Sequence, residues 1–335
     1  MIATSAQLTG PQQAVRVQST EIGSPGPGQV LVRMQACGIC HSDVFISGLP
    51  ELPLVPVTLG HEGIGVVIEA GSGVDNVRAG DRVGITFLAS SCGECEYCKS
   101  GHERLCPKQT NSGYSVNGAL TTYALVPAQH LIKVPTQLDA IKAAPLCCAG
   151  WTAYGALRNA GLQEGQTVAI FGFGGWGNYA LQFALHQKLR SIVSDVSEEK
   201  LESARALGAA ATFPADGAGR AIAKDSGGAH AAIVFTGAGP AIDQAFRSLR
   251  RAGTLVLVGL GGDFALPVME TIQKEIRIQG SYLGTRQDLE TIFRLAAEDS
   301  IEIPTNPSLL AEVPVTLQQL KAGKIQGRAV VAFAT

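Results

Sequence analysis

Short apolar runs alternate with stretches of helical spacing from residue 166 to about 281. The runs fall at 167–171, 191–195, 231–236, 254–259 and 276–281, with a shorter one near 211–213. Unbroken runs of this length predict strands buried on both faces. Strands that alternate with helices predict a doubly wound parallel sheet. The flanking sequence reads differently. A turn-rich piece at 23–28 leads to a strand at 30–34, and strands are predicted at 63–69 and 81–87 around a turn at 70–76. More β structure is predicted at 113–134, helices at 153–160 and 286–297, and a short closing strand at 327–333. The fold class is therefore α/β, with β-rich sequence before and after an inserted nucleotide-type unit.

Within that unit, Val168-Ala-Ile-Phe runs into Gly172-Phe-Gly174-Gly175-Trp176-Gly177, and helical spacing resumes at Asn178. A buried strand, a tight turn and a helix start let the backbone approach a pyrophosphate, and the helix N-terminus offers free N–H groups. Such a turn alone also serves plain packing. The next apolar run, however, ends in Asp195, 23 positions after Gly172. An acid about 20 residues on is the ribose partner of the dinucleotide fingerprint. Asp195 accepts bonds from a 2′-hydroxyl and repels a 2′-phosphate, so NAD is expected over NADP. The competing reading is that Asp195 merely opens the helix predicted at 197–207.

Composition narrows the class. A chain of 335 residues suits two domains of ordinary size, and 46% hydrophobic residues supply ample core. A net charge of −2 without any basic run argues against a nucleic-acid partner. No apolar stretch approaches a membrane span, and the first residues lack a basic and then apolar leader. A cytoplasmic protein is the expectation.

The eight cysteines lie at 37, 40, 92, 95, 98, 106, 147 and 148, a clustering that suggests metal rather than disulfides. Cys92, Cys95, Cys98 and Cys106 can close a tetrahedral thiolate site, structural because no coordination position stays open. Disulfide pairing is the alternative. Cys37 and Cys40 have the spacing of a shared zinc pair, and His61 could join a cysteine from another strand end. Adjacent Cys147 and Cys148 cannot easily hold one ion, so at most one ligates.

Together these pieces resemble the zinc-dependent medium-chain alcohol dehydrogenases. The resemblance rests on Cys37-Gly-Ile-Cys40-His41-Ser42-Asp43, Gly60-His61-Glu62, the Gly-Asp-Arg-Val at 80–83, the four-cysteine loop, Cys148-Ala-Gly and the glycine turn. It implies a β-rich GroES-like catalytic domain from 1–150 and 286–335, and a Rossmann coenzyme domain from 151–285. It also implies two zinc ions per chain and NAD. The catalytic zinc ligands become Cys40, His61 and Cys148, with Cys37 and Cys147 left as buried small residues. Asp43 is then expected on the free N–H of His61, Glu62 behind the metal, and Ser42 at the start of a proton relay. His41 and Arg328 are directed at the pyrophosphate and Thr152 at the nicotinamide. Gly172, Gly174, Gly175, Trp176, Gly177, Asp195 and Lys200 complete the cofactor set. Phe45, Leu49, Phe87 and Leu88 are expected to line an apolar pocket for a small alcohol or aldehyde.

Three departures from the family pattern stand out. Phe45 replaces a histidine at the outer end of the relay, Trp176 replaces a small aliphatic residue, and Cys147 and Trp151 replace aliphatics around the third ligand. The resemblance further implies a homo-oligomer, a tetramer ahead of a dimer, with 276–281 as its shared edge. Two other readings stay open on sequence: a related zinc reductase acting on a sugar or cinnamyl carbonyl, and a nucleotide-binding protein without catalysis.

Overall fold

The computed structural model describes residues 1–298, 301 and 304–334. The chain divides into two compact units, Met1–Ala149 with Thr285–Thr335, and Gly150–Gly284.

The second unit carries six parallel strands in the order Ala211–Pro214, Arg190–Asp195, Thr167–Phe171, Ala229–Val234, Leu249–Leu257 and Arg277–Gly280. All five residues of Thr167–Phe171 are buried, which is why that run has no polar alternation. Ala169, Phe171, Ile192, Ala232, Val234, Leu255 and Phe246 form one core cluster. The strand order reverses at Thr167–Phe171, whose neighbours are the next strand on one side and Ala229–Val234 on the other. Ligands of such sheets bind outside the carboxyl ends at that reversal, and the glycine turn begins there.

The first unit is built on a mixed sheet. Its path runs Ile132–Lys133, Arg82–Ile85, Gly63–Ala70, Gln29–Gly38, Arg328–Ala332 and Thr305–Ser308, with Tyr123–Pro127 also paired to Gln29–Gly38. Val30, Val32, Met34, Leu59, Val83, Ile85, Leu120 and Val331 fill its core. The late strand Arg328–Ala332 pairs antiparallel with residues 36–38, which brings Arg328 to the residues just before Cys40.

Several predicted elements differ from those observed. Of the β structure predicted at 113–134, only Tyr123–Pro127 and Ile132–Lys133 are strands. Local polar groups close turns before them: Asn111 N–H donates to Ser115 Oγ at 2.7 Å. The strand predicted at 81–87 stops at Ile85 and resumes as Leu88–Ser90, with Thr86 Oγ1 donating to the Leu88 carbonyl across the break. The helix predicted from 153 begins at Ala149, directly after Cys148.

Candidate active site

Cys40 is the N-cap of the helix His41–Ser47. His61 and Glu62 follow the short strand Val57–Thr58, and Cys148 ends a 3-10 turn. Three distant segments thus converge on one buried point. Ligand atoms of Cys40, His61, Glu62 and Cys148 all lie within 4.8 Å of one another, and the Cys40 and Cys148 sulfurs are 4.0 Å apart. Neither nitrogen of the fully buried His61 has a hydrogen-bond partner. A buried imidazole left unpartnered is costly, and a metal ion satisfies it. Two thiols and an imidazole also match the donor set of a catalytic zinc with one open position.

Asp43 ties this convergence together. Its carboxylate accepts from the Cys40 N–H at 2.8 Å and from the Gly60 N–H at 3.1 Å, fixing the residues around two ligands at once. Its Oδ1 lies 3.5 Å from His61 Nδ1. Glu62 Oε1 accepts from the Arg328 guanidinium at 2.5 Å, with both side chains buried. Arg328 also reaches the Ile39 carbonyl, so the residue directed at the cofactor by sequence is engaged on Glu62. That pairing, 266 positions apart in the chain, has no sequence signal; only the strand pairing of 328–332 reveals it.

The titrating groups bear on one another. A hydrogen bond from Cys148, with help from His61, holds Cys40 well below the usual thiol range despite burial. The same hydrogen bond and burial push Cys148 well above it. Contact between the two thiols thus drives them in opposite directions. Burial drives the His61 imidazolium down, but Asp43 and Cys40 outweigh it and leave the pKa raised. Burial pushes the Glu62 carboxyl up to about 7 against the pull of Arg328.

Cys37 takes no part in this cluster. It is buried and its thiol points at the Gly38 carbonyl, which overturns the shared Cys37 and Cys40 pair suggested by spacing. Cys147 is likewise buried, with its thiol on the Gly63 carbonyl. Ser42 Oγ lies 3.6 Å from Cys40 Sγ, and the Phe87 ring sits edge-on to His61 with centroids 5.2 Å apart. Leu88 is buried, Leu49 half-buried, and Phe45 is 55% exposed. His41 is exposed at the helix start.

The second cluster is local. Cys92, Cys95, Cys98 and Cys106 place sulfurs 3.5 Å apart for Cys95 and Cys98, 3.5 Å for Cys106 and Cys92, and 3.9 Å for Cys92 and Cys98. All four are free thiols, so disulfide pairing does not hold. A zinc–sulfur distance of about 2.3 Å gives a tetrahedral edge of about 3.8 Å, which these spacings match. N–H groups at Glu94 and Cys95 lower the Cys92 thiol to about 6. His102 is exposed and outside the cluster.

In the second unit, Gly172 has φ +93°, and a Cβ on Gly177 would overlap the Gly172 carbonyl, so the turn requires both glycines. A Cβ on Gly174, by contrast, meets nothing within 4 Å; the space above the helix Gly175–His186 is open. Asp195 accepts from the Phe173 N–H at 2.6 Å and the Ser197 N–H at 3.0 Å. It therefore joins the glycine turn to the next strand, with Lys200 Nζ 3.8 Å away. Trp176 packs near Phe235 at 6.3 Å, and Thr152 is buried.

With this geometry in place, comparison with known proteins decides the family. The Alcohol dehydrogenase GroES-like domain profile matches residues 26–136, and the Zinc-binding dehydrogenase profile matches 175–298. An alcohol dehydrogenase of Geobacillus stearothermophilus is 40% identical over 328 residues, 96% of each chain. The chain belongs to the zinc-dependent alcohol dehydrogenases. Among solved structures, acetophenone reductase of Geotrichum candidum in complex with NAD superposes with a TM-score of 0.87 at 27% identity, covering 99% of this chain and 97% of that one. A dehydrogenase of Sinorhizobium meliloti bound to NADP does so at 0.88 and 27%, covering 99% and 100%. This alcohol dehydrogenase thus has the GroES-like and Rossmann-type architecture expected from its sequence.

Proposed function

We propose that this alcohol dehydrogenase prefers NAD, holds two zinc ions per chain and oxidises uncharged aliphatic or aromatic alcohols, or reduces the matching carbonyls. The observation that carries the reading is the convergence of Cys40, His61 and Cys148 on one buried point with neither ring nitrogen of His61 hydrogen-bonded. Zinc, when bound there, supplies Lewis acidity to the substrate oxygen, and the nicotinamide is the hydride carrier.

The chain's own residues do the rest. Cys40, His61 and Cys148 hold the ion and leave one position for substrate. Asp43 fixes their geometry through backbone N–H groups. Ser42 takes the hydroxyl proton as it leaves the substrate. Phe45 cannot carry that proton outward, so it passes to water or the cofactor ribose. Phe87 and Leu88 with Phe45 and Leu49 give the pocket its apolar walls. The Cys92 to Cys106 cluster holds the second, structural ion. Asp195 receives the ribose, and the open space over Gly174 receives the pyrophosphate.

The same reading includes a cytoplasmic homo-oligomer, with a tetramer favoured over a dimer. Arg277–Gly280 supports it as an edge strand with every residue exposed. Leu260, Val268, Met269 and Ile272, which precede it in the chain, are 59–73% exposed. An open edge flanked by apolar side chains is a template for pairing with another chain.

The test is the initial rate of NADH appearance across an alcohol panel, repeated with NADP and with a zinc chelator. Chelator-sensitive turnover, faster with NAD and faster on hexanol or benzyl alcohol than on sorbitol, is expected. Equal or faster NADP turnover overturns the role of Asp195, and polyol preference overturns the apolar pocket. Metal analysis finds two ions per chain; one ion argues for a structural zinc only.

A further inference from the structure

Gly38 ends the strand Gln29–Gly38, two positions before Cys40. Its backbone lies outside the left-handed region, so alanine is compatible with its conformation. Space is what excludes a side chain. A Cβ built there overlaps Glu62 Oε2 and lies 2.9 Å from the Glu62 carboxyl carbon and 3.0 Å from its Cβ. The carboxylate has little freedom to yield. Glu62 has no solvent exposure, Arg328 holds Oε1, and the Glu62 carbonyl accepts from the Gly38 N–H at 3.0 Å. Oε2, facing Gly38, has no hydrogen-bond partner. A Glu62 carboxylate oxygen lies within 4.8 Å of the ligand atoms of Cys40, His61 and Cys148.

We infer that Gly38 is a positioning residue for the reaction: its missing side chain forms the slot that keeps the Glu62 carboxylate beside the three-ligand set and off the position left for substrate. This rests on Cys40, His61 and Cys148 being the catalytic zinc ligands. A methyl group at 38 expels Oε2 while Arg328 keeps Oε1, and the carboxylate turns toward the ligand set. The open site becomes a closed one.

The experiment compares Gly38→Ala, Glu62→Asp and the double variant, each with zinc and with cobalt(II) at the buried site. Gly38→Ala is expected to alter the visible cobalt spectrum, slow release of the buried metal to a chelator, and lower kcat/KM by roughly tenfold to a hundredfold, the scale of a small misplacement at a reacting centre. The shorter aspartate withdraws the carboxylate and leaves only the 3.0 Å contact with its Cβ, so adding Gly38→Ala to Glu62→Asp changes none of these by more than about twofold. An unaltered cobalt spectrum in Gly38→Ala, or the same loss in both backgrounds, overturns the proposal. Should Gly38→Ala alone fail to fold, the double variant is expected to fold and melt with Glu62→Asp; a double variant that also fails overturns it. A wild-type protein that takes up only one metal ion sinks the zinc assignment itself instead.

Discussion

The two cysteine clusters bring metal-ligating side chains together by opposite routes. Cys92, Cys95, Cys98 and Cys106 come from one loop of 15 residues, and all but the buried Cys106 remain partly open to solvent. Cys40, His61 and Cys148 come from segments up to 108 positions apart and are buried. The thiolate of Cys92 is stabilised by N–H groups of its own turn. That of Cys40 is stabilised by a thiol delivered from another segment. A locally built site needs only its loop; an assembled site needs the whole unit folded, and reports on it.

The sharpest way to break this contrast is to remove one ligand from each cluster. Cys40→Ala is expected to lower kcat/KM on the order of a thousandfold or more, since Lewis-acid stabilisation is worth several kcal/mol. Metal analysis should show one ion lost and the other retained, with the fold intact by circular dichroism. Cys95→Ser should act mainly on stability. Loss of a structural metal belongs to the class above about 4 kcal/mol. For a unit of this size that lowers the melting midpoint by roughly 8–16 °C. Turnover well below that midpoint should stay within about twofold of the parent. Equal activity losses in the two variants would erase the distinction.

Asp195 is an intermediate case, because it joins a turn and a strand end 22 positions apart. Asp195→Asn weakens charge-assisted hydrogen bonds to N–H groups and to the ribose, at about 1.5–3 kcal/mol. The NAD kcat/KM should fall roughly tenfold to a hundredfold while the NADP value changes less. A uniform loss with both cofactors would make Asp195 a strut for the turn only. Phe45 gives the smallest effect. Without a relay base at that position, turnover should rise from neutral to alkaline pH, as hydroxide and water take the proton. Phe45→His should raise the neutral rate by roughly tenfold and flatten that rise. A flat profile in the parent enzyme would show that proton release does not limit it.

The same contrast explains what was legible in the sequence. The four-cysteine loop and the glycine turn encode their geometry in spacing, so both read directly. The parallel strands read well because burial on both faces strips them of polar residues. The catalytic cluster did not read from spacing, which favoured Cys37 with Cys40; the ordered family motifs were needed to bring in Cys148. The split of the strand at Thr86 and the turns before Tyr123 were missed because single side-chain hydrogen bonds decide them. Nothing in the sequence marks Arg328 as the partner of Glu62, because that pairing exists only once two strands align.

That alignment also has a temporal side. Arg328 is made 266 residues after Glu62. At about 5–20 residues per second, the glutamate waits roughly 13–53 seconds on the ribosome for its counter-charge. The whole of Gly150–Gly284 is synthesised in that interval. The parallel-sheet unit can therefore finish its sheet while the other unit still lacks the strand that pairs with residues 36–38. A nascent chain stalled before residue 328 has no guanidinium to set beside Glu62, and residues 36–38 have no late strand to pair with.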